Sequence, residues 1–180
     1  MINLSADNIC VSGGADGSDI AFGHVALQHN HSLIHFSFEK HKSKASNIVC
    51  LTNEQLDFAL PFIKEANKTM KRKIPYNRYV LNLLLRNYYQ VAFSNCVYAI
   101  STISKGQVDG GTGWAVTMFI DRHEGLPCEC YVFDQDQNKW FKWNMKWEET
   151  VPPAPTGIWA GIGTRKLNDN GLNAINSIFN

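Results

Sequence analysis

The sequence predicts an α/β fold: a Rossmann-like, three-layer arrangement with a mostly parallel sheet and an antiparallel edge hairpin. Two observations carry this. Short apolar runs alternate along the chain with longer stretches of helical periodicity, which favours parallel strands covered on both faces. Two of those runs lead into glycine-rich turns that open a helix, Ser12-Gly13-Gly14-Ala15-Asp16-Gly17-Ser18-Asp19 and Asp109-Gly110-Gly111-Thr112-Gly113-Trp114. At 180 residues and 44% hydrophobic content, the chain suits one domain over 1–180 with a substantial core.

The elements follow in order. Residues 8–12 read as a short buried strand and 18–29 as a helix with Ile20, Ala21, Val25 and Leu27 apolar. Residues 32–38 are strand-like and 39–47 form a polar loop. A helical pattern covers 53–69, with an N-cap at Thr52 or Asn53 and Pro61 inside it, which predicts a kink or two shorter helices. The longest helical pattern is 76–93, where Val80, Leu83, Leu84 and Asn87 form one row and Leu81, Leu85 and Tyr88 another. Residues 96–103 read as a near-continuous apolar strand, 113–123 as a helix and 128–133 as a strand. A turn at 134–138 joins that strand to 139–143 as a hairpin. The proline-rich segment 151–156 is an extended connector, followed by a strand at 157–161 and a helix at 168–179. The crossover rule then orders the sheet 32–38, 8–12, 157–162, 96–103, 128–133, with 139–143 antiparallel at the edge.

Charge and composition exclude several classes of function. The formal net charge is +1, from 17 basic and 16 acidic residues, so no global basic field holds a nucleic acid. No apolar run is long enough to span a bilayer, and the N-terminus lacks a signal-peptide pattern. Five scattered cysteines fit reduced thiols, and a cytoplasmic location follows as the expectation.

The chemistry points to an anion site. A strand that ends in glycines and feeds a helix presents backbone N–H groups at the positive end of that helix. Gly13, Gly14, Gly110 and Gly111 are the expected backbone donors, with Ser12, Ala15, Asp16, Thr112 and Gly113 in the same turns. Asp19 opens a helix, where a carboxylate compensates the dipole. Trp114 either stacks on a base or packs in the core. Gly163-Thr164-Arg165 closes a third strand, and Arg165 offers a charged fork for phosphate. Arg86 lies on an otherwise apolar helix face, where it binds a ligand or makes a buried ion pair; Asn87 and Gln90 offer hydrogen bonds beside it. His24 either faces the cleft or is structural. His29-Asn30-His31 and Cys128-Glu129-Cys130 have ligand-like side chains two apart but no matching second pair, so no metal is predicted, and no cofactor. Trp140, Trp143 and Trp147 alternate with Lys139, Lys142 and Lys146, as a base-stacking platform or as an amphipathic edge hairpin.

These motifs resemble the SLOG superfamily, which groups the DNA-processing protein A (Smf) family with the LONELY GUY nucleotide phosphoribohydrolases. The first turn, from Ser12 to Asp19, resembles the Ser-Gly-x-Ala-x-Gly-x-Asp turn of the DNA-processing branch, and Asp109-Gly110-Gly111-Thr112-Gly113 resembles the superfamily's second glycine turn. Arg86-Asn87-Tyr88-Tyr89-Gln90 resembles an Arg-Asn segment of small bacteriophage-type members, and Gly161-Ile162-Gly163-Thr164-Arg165 the Gly-x-Arg turn of the DNA-processing fold. The order differs: Gly-x-Arg comes first in that family and last here. A circular permutation, or a strand swapped into a second molecule, accounts for this, and the sequence leaves both open. The hydrolase branch carries a glutamate after its second turn, and Thr117 stands in its place.

The resemblance implies capture of a nucleotide-derived small molecule without turnover, for example a cyclic ADP-ribose-type or cyclic oligonucleotide immune signal, in a host cytoplasm if the chain is bacteriophage-encoded. Nucleotide N-glycosidase activity is the alternative, and single-stranded DNA binding in recombination the third class. A homo-oligomer is expected, with the tryptophan-rich hairpin as a surface for a partner copy.

Overall fold

The computed structural model describes residues 7–179. Its elements run β1 (Ile9–Ser12), α1 (Ser18–Gln28), β2 (Ser32–Phe38), β3 (Ile48–Leu51), α2 (Asn53–Phe58), α3 (Leu60–Met70), α4 (Arg78–Val91) and β4 (Cys96–Ser101). Then follow β5 (Ile103–Ser104), β6 (Gln107–Val108), α5 (Gly110–Arg122), β7 (Cys130–Asp134), β8 (Lys139–Trp143), β9 (Trp147–Thr150), β10 (Ile158–Gly163) and α6 (Asp169–Ser177).

One eight-stranded sheet has the order β3-β2-β1-β10-β4-β7-β8-β9. The strands from β3 to β7 pair in parallel, and β8 and β9 add an antiparallel edge. The six-strand order expected from the sequence is therefore present, with one further strand at each edge. The last strand of the chain, β10, lies between β1 and β4 of its own chain.

Period-two alternation divides the core into the two faces of this sheet. On β4, Val97 and Ala99 face a cluster built with α2–α5, while Tyr98 and Ile100 face a second cluster built with α1 and α6. The second is aromatic, with Tyr98 in ring contact with Tyr131, Trp140 and Trp159. Three layers result, with the sheet in the middle.

Pro61 separates two helices rather than bending one. Thr52 caps α2 through a capping box with Gln55, α2 stops at Phe58, and Pro61 occupies the first turn of α3, where a missing N–H costs nothing. The second turn differs from expectation: α5 begins at Gly110 rather than at residue 113. The strand expected over 96–103 ends at Ser101, because Ile103 turns into the small β5–β6 hairpin. The strand expected over 128–133 is displaced to Cys130–Asp134.

The hairpin lysines and tryptophans resolve as an amphipathic edge, not a stacking platform. Trp140 is buried against Tyr98 and Phe133. Trp143 and Trp147 meet edge to face, and their indole N–H groups donate to Gly125 O and Gly106 O. Lys139, Lys142 and Lys146 pair with Glu149, Glu129 and Glu148. No helix among the described residues is long and apolar enough to cross a membrane.

Candidate functional site

The first glycine turn is tied down by the protein itself. Ser12 Oγ donates to Gly161 O on β10, which locks the carboxyl ends of β1 and β10 together. The Arg86 guanidinium packs against Gly13, and its Nη1 donates to Gly13 O; any Cβ at Gly13 would overlap it. Gly14 has a φ of 64°, and its carbonyl accepts from Ser43 Oγ at 2.6 Å. Asp19, 3% exposed, turns back over the start of α1. Its Oδ2 accepts from Ala15 N at 3.3 Å and stands 3.7 Å from Arg86 Nη1; its Oδ1 accepts from Gly163 N at 3.1 Å. Burial pushes the Asp19 carboxyl above its ordinary range, while the Arg86 charge and the two amides pull it back. The Thr164 carbonyl takes both the Ser18 N–H, at 3.1 Å, and the Ser18 hydroxyl, at 2.7 Å. The positive end of α1 is thus neutralised by the chain's own carboxylate and carbonyl.

The second turn is arranged the opposite way. Its carbonyls are held back from behind. Arg72 donates from Nη2 to Val108 O at 2.8 Å and from Nη1 to Gly110 O at 3.1 Å, and Asn87 Nδ2 donates to Gly111 O at 3.0 Å. Asp109 O accepts from Gly113 N and Ser101 Oγ. The first amides of a helix have no partner within it, and here no side chain caps them. Asp109, at the N-cap, spends its carboxylate on Thr102 Oγ1 at 2.9 Å instead. Gly110, with a φ of 63°, faces open space, and a Cβ at Gly111 would meet only Leu84, at 3.7 Å. Gly113 is different: a Cβ there would overlap Val108 O, so this glycine serves packing.

The third turn closes the arrangement. Thr164 N donates to Ile100 O at 2.9 Å, and a Cβ at Gly163 would crowd Ile100 O and Ser18. The Arg165 backbone lies against Gly17 of the first turn. Its side chain is exposed and makes no hydrogen bond or ion pair among the described residues.

These turns converge on a cleft of about 920 Å³ at the carboxyl ends of β1, β10 and β4, where open α/β sheets hold their ligands. That volume is at the upper end of the range for small-molecule sites, roughly 300–1,000 Å³. Ala15, Asp19, Gly110, Gly111, Thr112 and Trp114 line it, as do Gly163, Thr164, Arg165 and the α4 residues Arg86, Asn87 and Gln90. Ser12, Gly13, Gly14, Asp16 and Gly113 do not form its wall. Trp114 is both core and wall, buried among the helices with its edge at the cleft. His24 is exposed on α1 and does not line the cleft; nor does Thr117.

Two donors on the floor have no acceptor among the described residues. Gln90 is 1% exposed with its Nε2 unpartnered, and the Arg86 Nε beside it is likewise unpartnered. Sequence reasoning missed the facing wall: Pro75, Tyr79, Val80, Leu83 and Leu84 give the cleft an apolar side. The signal was the α4 row itself, in which Val80, Leu83 and Leu84 continue at helical spacing into polar Asn87 and Gln90. The row also missed Arg72, which reads in sequence as part of a Lys71-Arg72-Lys73 charge run.

Of the ligand-like pairs elsewhere, the histidines are engaged by aromatic side chains, and Cys128 and Cys130 are buried free thiols. His29 stacks on Phe179, His31 accepts from Trp159 Nε1, and Glu129 holds Lys142 and the Tyr131 hydroxyl. Comparison of the chain with protein-family models, curated proteins and solved structures gives no match.

Proposed function

We propose that the chain captures a nucleotide-derived small molecule in this cleft and releases it unchanged. The observation that carries the reading is the uncapped start of α5, opening on the same cleft as the unpartnered Gln90 Nε2. Phosphate oxygens would accept from the Gly110, Gly111 and Thr112 amides and from Arg165. A base or ribose would lie along Tyr79, Val80 and Leu83 and satisfy Gln90. A nucleotide immune signal of cyclic ADP-ribose or cyclic oligonucleotide type fits that division into anionic and apolar parts.

Capture rather than hydrolysis is supported by the state of two of the three carboxylates on the cleft wall; the third, Asp136, is exposed. Asp19 already accepts from two amides and faces Arg86, and Asp109 is held by Thr102. General base catalysis needs a carboxylate within reach of a water and free to take its proton. The test is to incubate the protein with mixed nucleotides, remove the unbound fraction, denature, and identify what is released by mass spectrometry. Intact nucleotide supports capture; free base would show turnover.

A further inference from the structure

We infer that the ligand of this cleft carries more than one phosphate, held in part by two lysine-bearing loops that flank the mouth. The inference rests on the cleft being the binding site and adds the charge of what it binds.

The distribution of ion pairs motivates it. The protein is nearly neutral overall, yet its cations are not evenly compensated. On the edge hairpin every lysine has a glutamate, as in Lys139–Glu149 at 2.7 Å and Lys146–Glu148 at 3.4 Å. At the carboxyl end of the sheet the pattern reverses. Lys40, Lys42 and Lys44 lie on the loop after β2, exposed and with no ion pair among the described residues. That loop is fastened over the first turn by Ser43 Oγ to Gly14 O, and the first turn touches Arg165. Across the mouth, Lys71 and Lys73 flank Arg72, whose guanidinium grips the second turn, and they too have no ion pair. The acids near this edge are fewer: Glu39, Asp16 and Asp136 are exposed, and Asp109 and Asp19 are engaged.

A positive field is felt by a titratable ring on the first of these loops. His41 is held down to about 4 by burial and then by Arg86 and Arg165, against the opposing pull of Asp16. Like charges gathered without counter-ions repel and destabilise the compact state, and a polyanion relieves them. The helix terminus seats one phosphate; the Gln90 and Arg86 donors, unpartnered among the described residues, leave the same cleft open to further acceptor atoms. Further phosphates would then lie outward, toward Arg165 and the Lys40–Lys44 side.

The experiment is calorimetric titration at constant ionic strength with orthophosphate, pyrophosphate and tripolyphosphate. Tripolyphosphate is expected to bind at least tenfold more tightly than orthophosphate. K40Q/K42Q/K44Q should lose at least fivefold of that advantage, and the charge-matched control K64Q/K139Q/K146Q should keep it. Equal affinity for the three probes, or an unchanged advantage in K40Q/K42Q/K44Q, overturns the inference while leaving the cleft reading intact. Gly111→Trp should abolish binding of every probe; if it does not, or if wild type binds none of them, the cleft reading itself fails and this inference with it.

Discussion

Arg86 on α4 and Asp19 on α1 form a buried ion pair across the top of the sheet, 3.7 Å between Nη1 and Oδ2. The same guanidinium donates to Gly13 O, and the same carboxylate accepts from Gly163 N, so one pair ties together α4, the first turn and the end of β10. Removing one partner leaves the other charged and buried, which costs about 3–5 kcal/mol. Asp19→Asn and Arg86→Ala should each lose that much stability in urea denaturation. Asp19→Leu/Arg86→Met should lose less than the sum, because neither charge is then stranded.

His41 makes stability depend on pH. Its folded value, about 4, lies below the ordinary 6.5, so the unfolded chain takes up the proton first. The stability it contributes is present above about 6.5 and is lost as pH falls toward 4. Asp19 runs the other way: its carboxyl is raised in the fold, so its contribution is fully present below the ordinary carboxylate range and is lost as pH rises through the folded value. Urea midpoints measured from pH 7 to 5 should fall for wild type, and the slope should flatten in His41→Gln.

Gly111 and Gly113 are two residues apart and should tolerate change very differently. Gly113→Ala drives a Cβ into Val108 O, an overpacking cost of about 1–3 kcal/mol or more. Gly111→Ala meets only Leu84, at 3.7 Å, and should stay within about 1 kcal/mol of wild type, the usual helix preference of alanine over glycine favouring it. Thermal melts of the two variants check the contrast.

Arg72 should set the rigidity of the second turn. Its two bonds hold Val108 O and Gly110 O, and bonds to a charged group contribute about 1.5–3 kcal/mol each. Amide exchange at Gly113, whose N–H is bonded to Asp109 O, should accelerate in Arg72→Ala. Arg72→Lys should restore it only in part, since one ammonium cannot reproduce the fork.

Arg165→Ala should leave the melting profile of the protein unchanged, because the side chain makes no bond among the described residues. It should weaken nucleotide binding by about 1.5–3 kcal/mol, roughly tenfold to a hundredfold. Titration calorimetry with the nucleotide recovered from the protein measures this, and equal affinity would make Arg165 irrelevant to the anion.

How far this was legible in sequence depends on what each residue's role requires. The order of six strands followed from alternation and the right-handed crossover rule, and β10 took its central place although it comes last in the chain. β3 was not legible: Ile48-Val49-Cys50-Leu51 is too short for its periodicity to be read. β9 was hidden by Glu148 and Glu149, which suppress a strand pattern until Lys139 on the neighbouring strand is seen to pair with Glu149. That the three turns meet at one cleft was legible because glycine, threonine and arginine in those positions carry chemistry by type. Which turn stays open was not. That depends on Asp19 folding back over its own helix while Asp109 turns away from its own, a choice made by Gly163 N and Thr102 Oγ1, both remote from the turns they decide.

The most direct test of the central claim is a two-dimensional amide spectrum of the labelled protein titrated in parallel with AMP, ADP-ribose and a cyclic dinucleotide. For at least one of them, capture in the cleft should give the largest shifts at the Gly110, Gly111 and Thr112 amides and at the Gln90 side-chain amide, with the first-turn amide of Ala15, already bonded to Asp19, moving less. Shifts confined to the edge hairpin or to the first turn, with the start of α5 and Gln90 unmoved by all three, would contradict it.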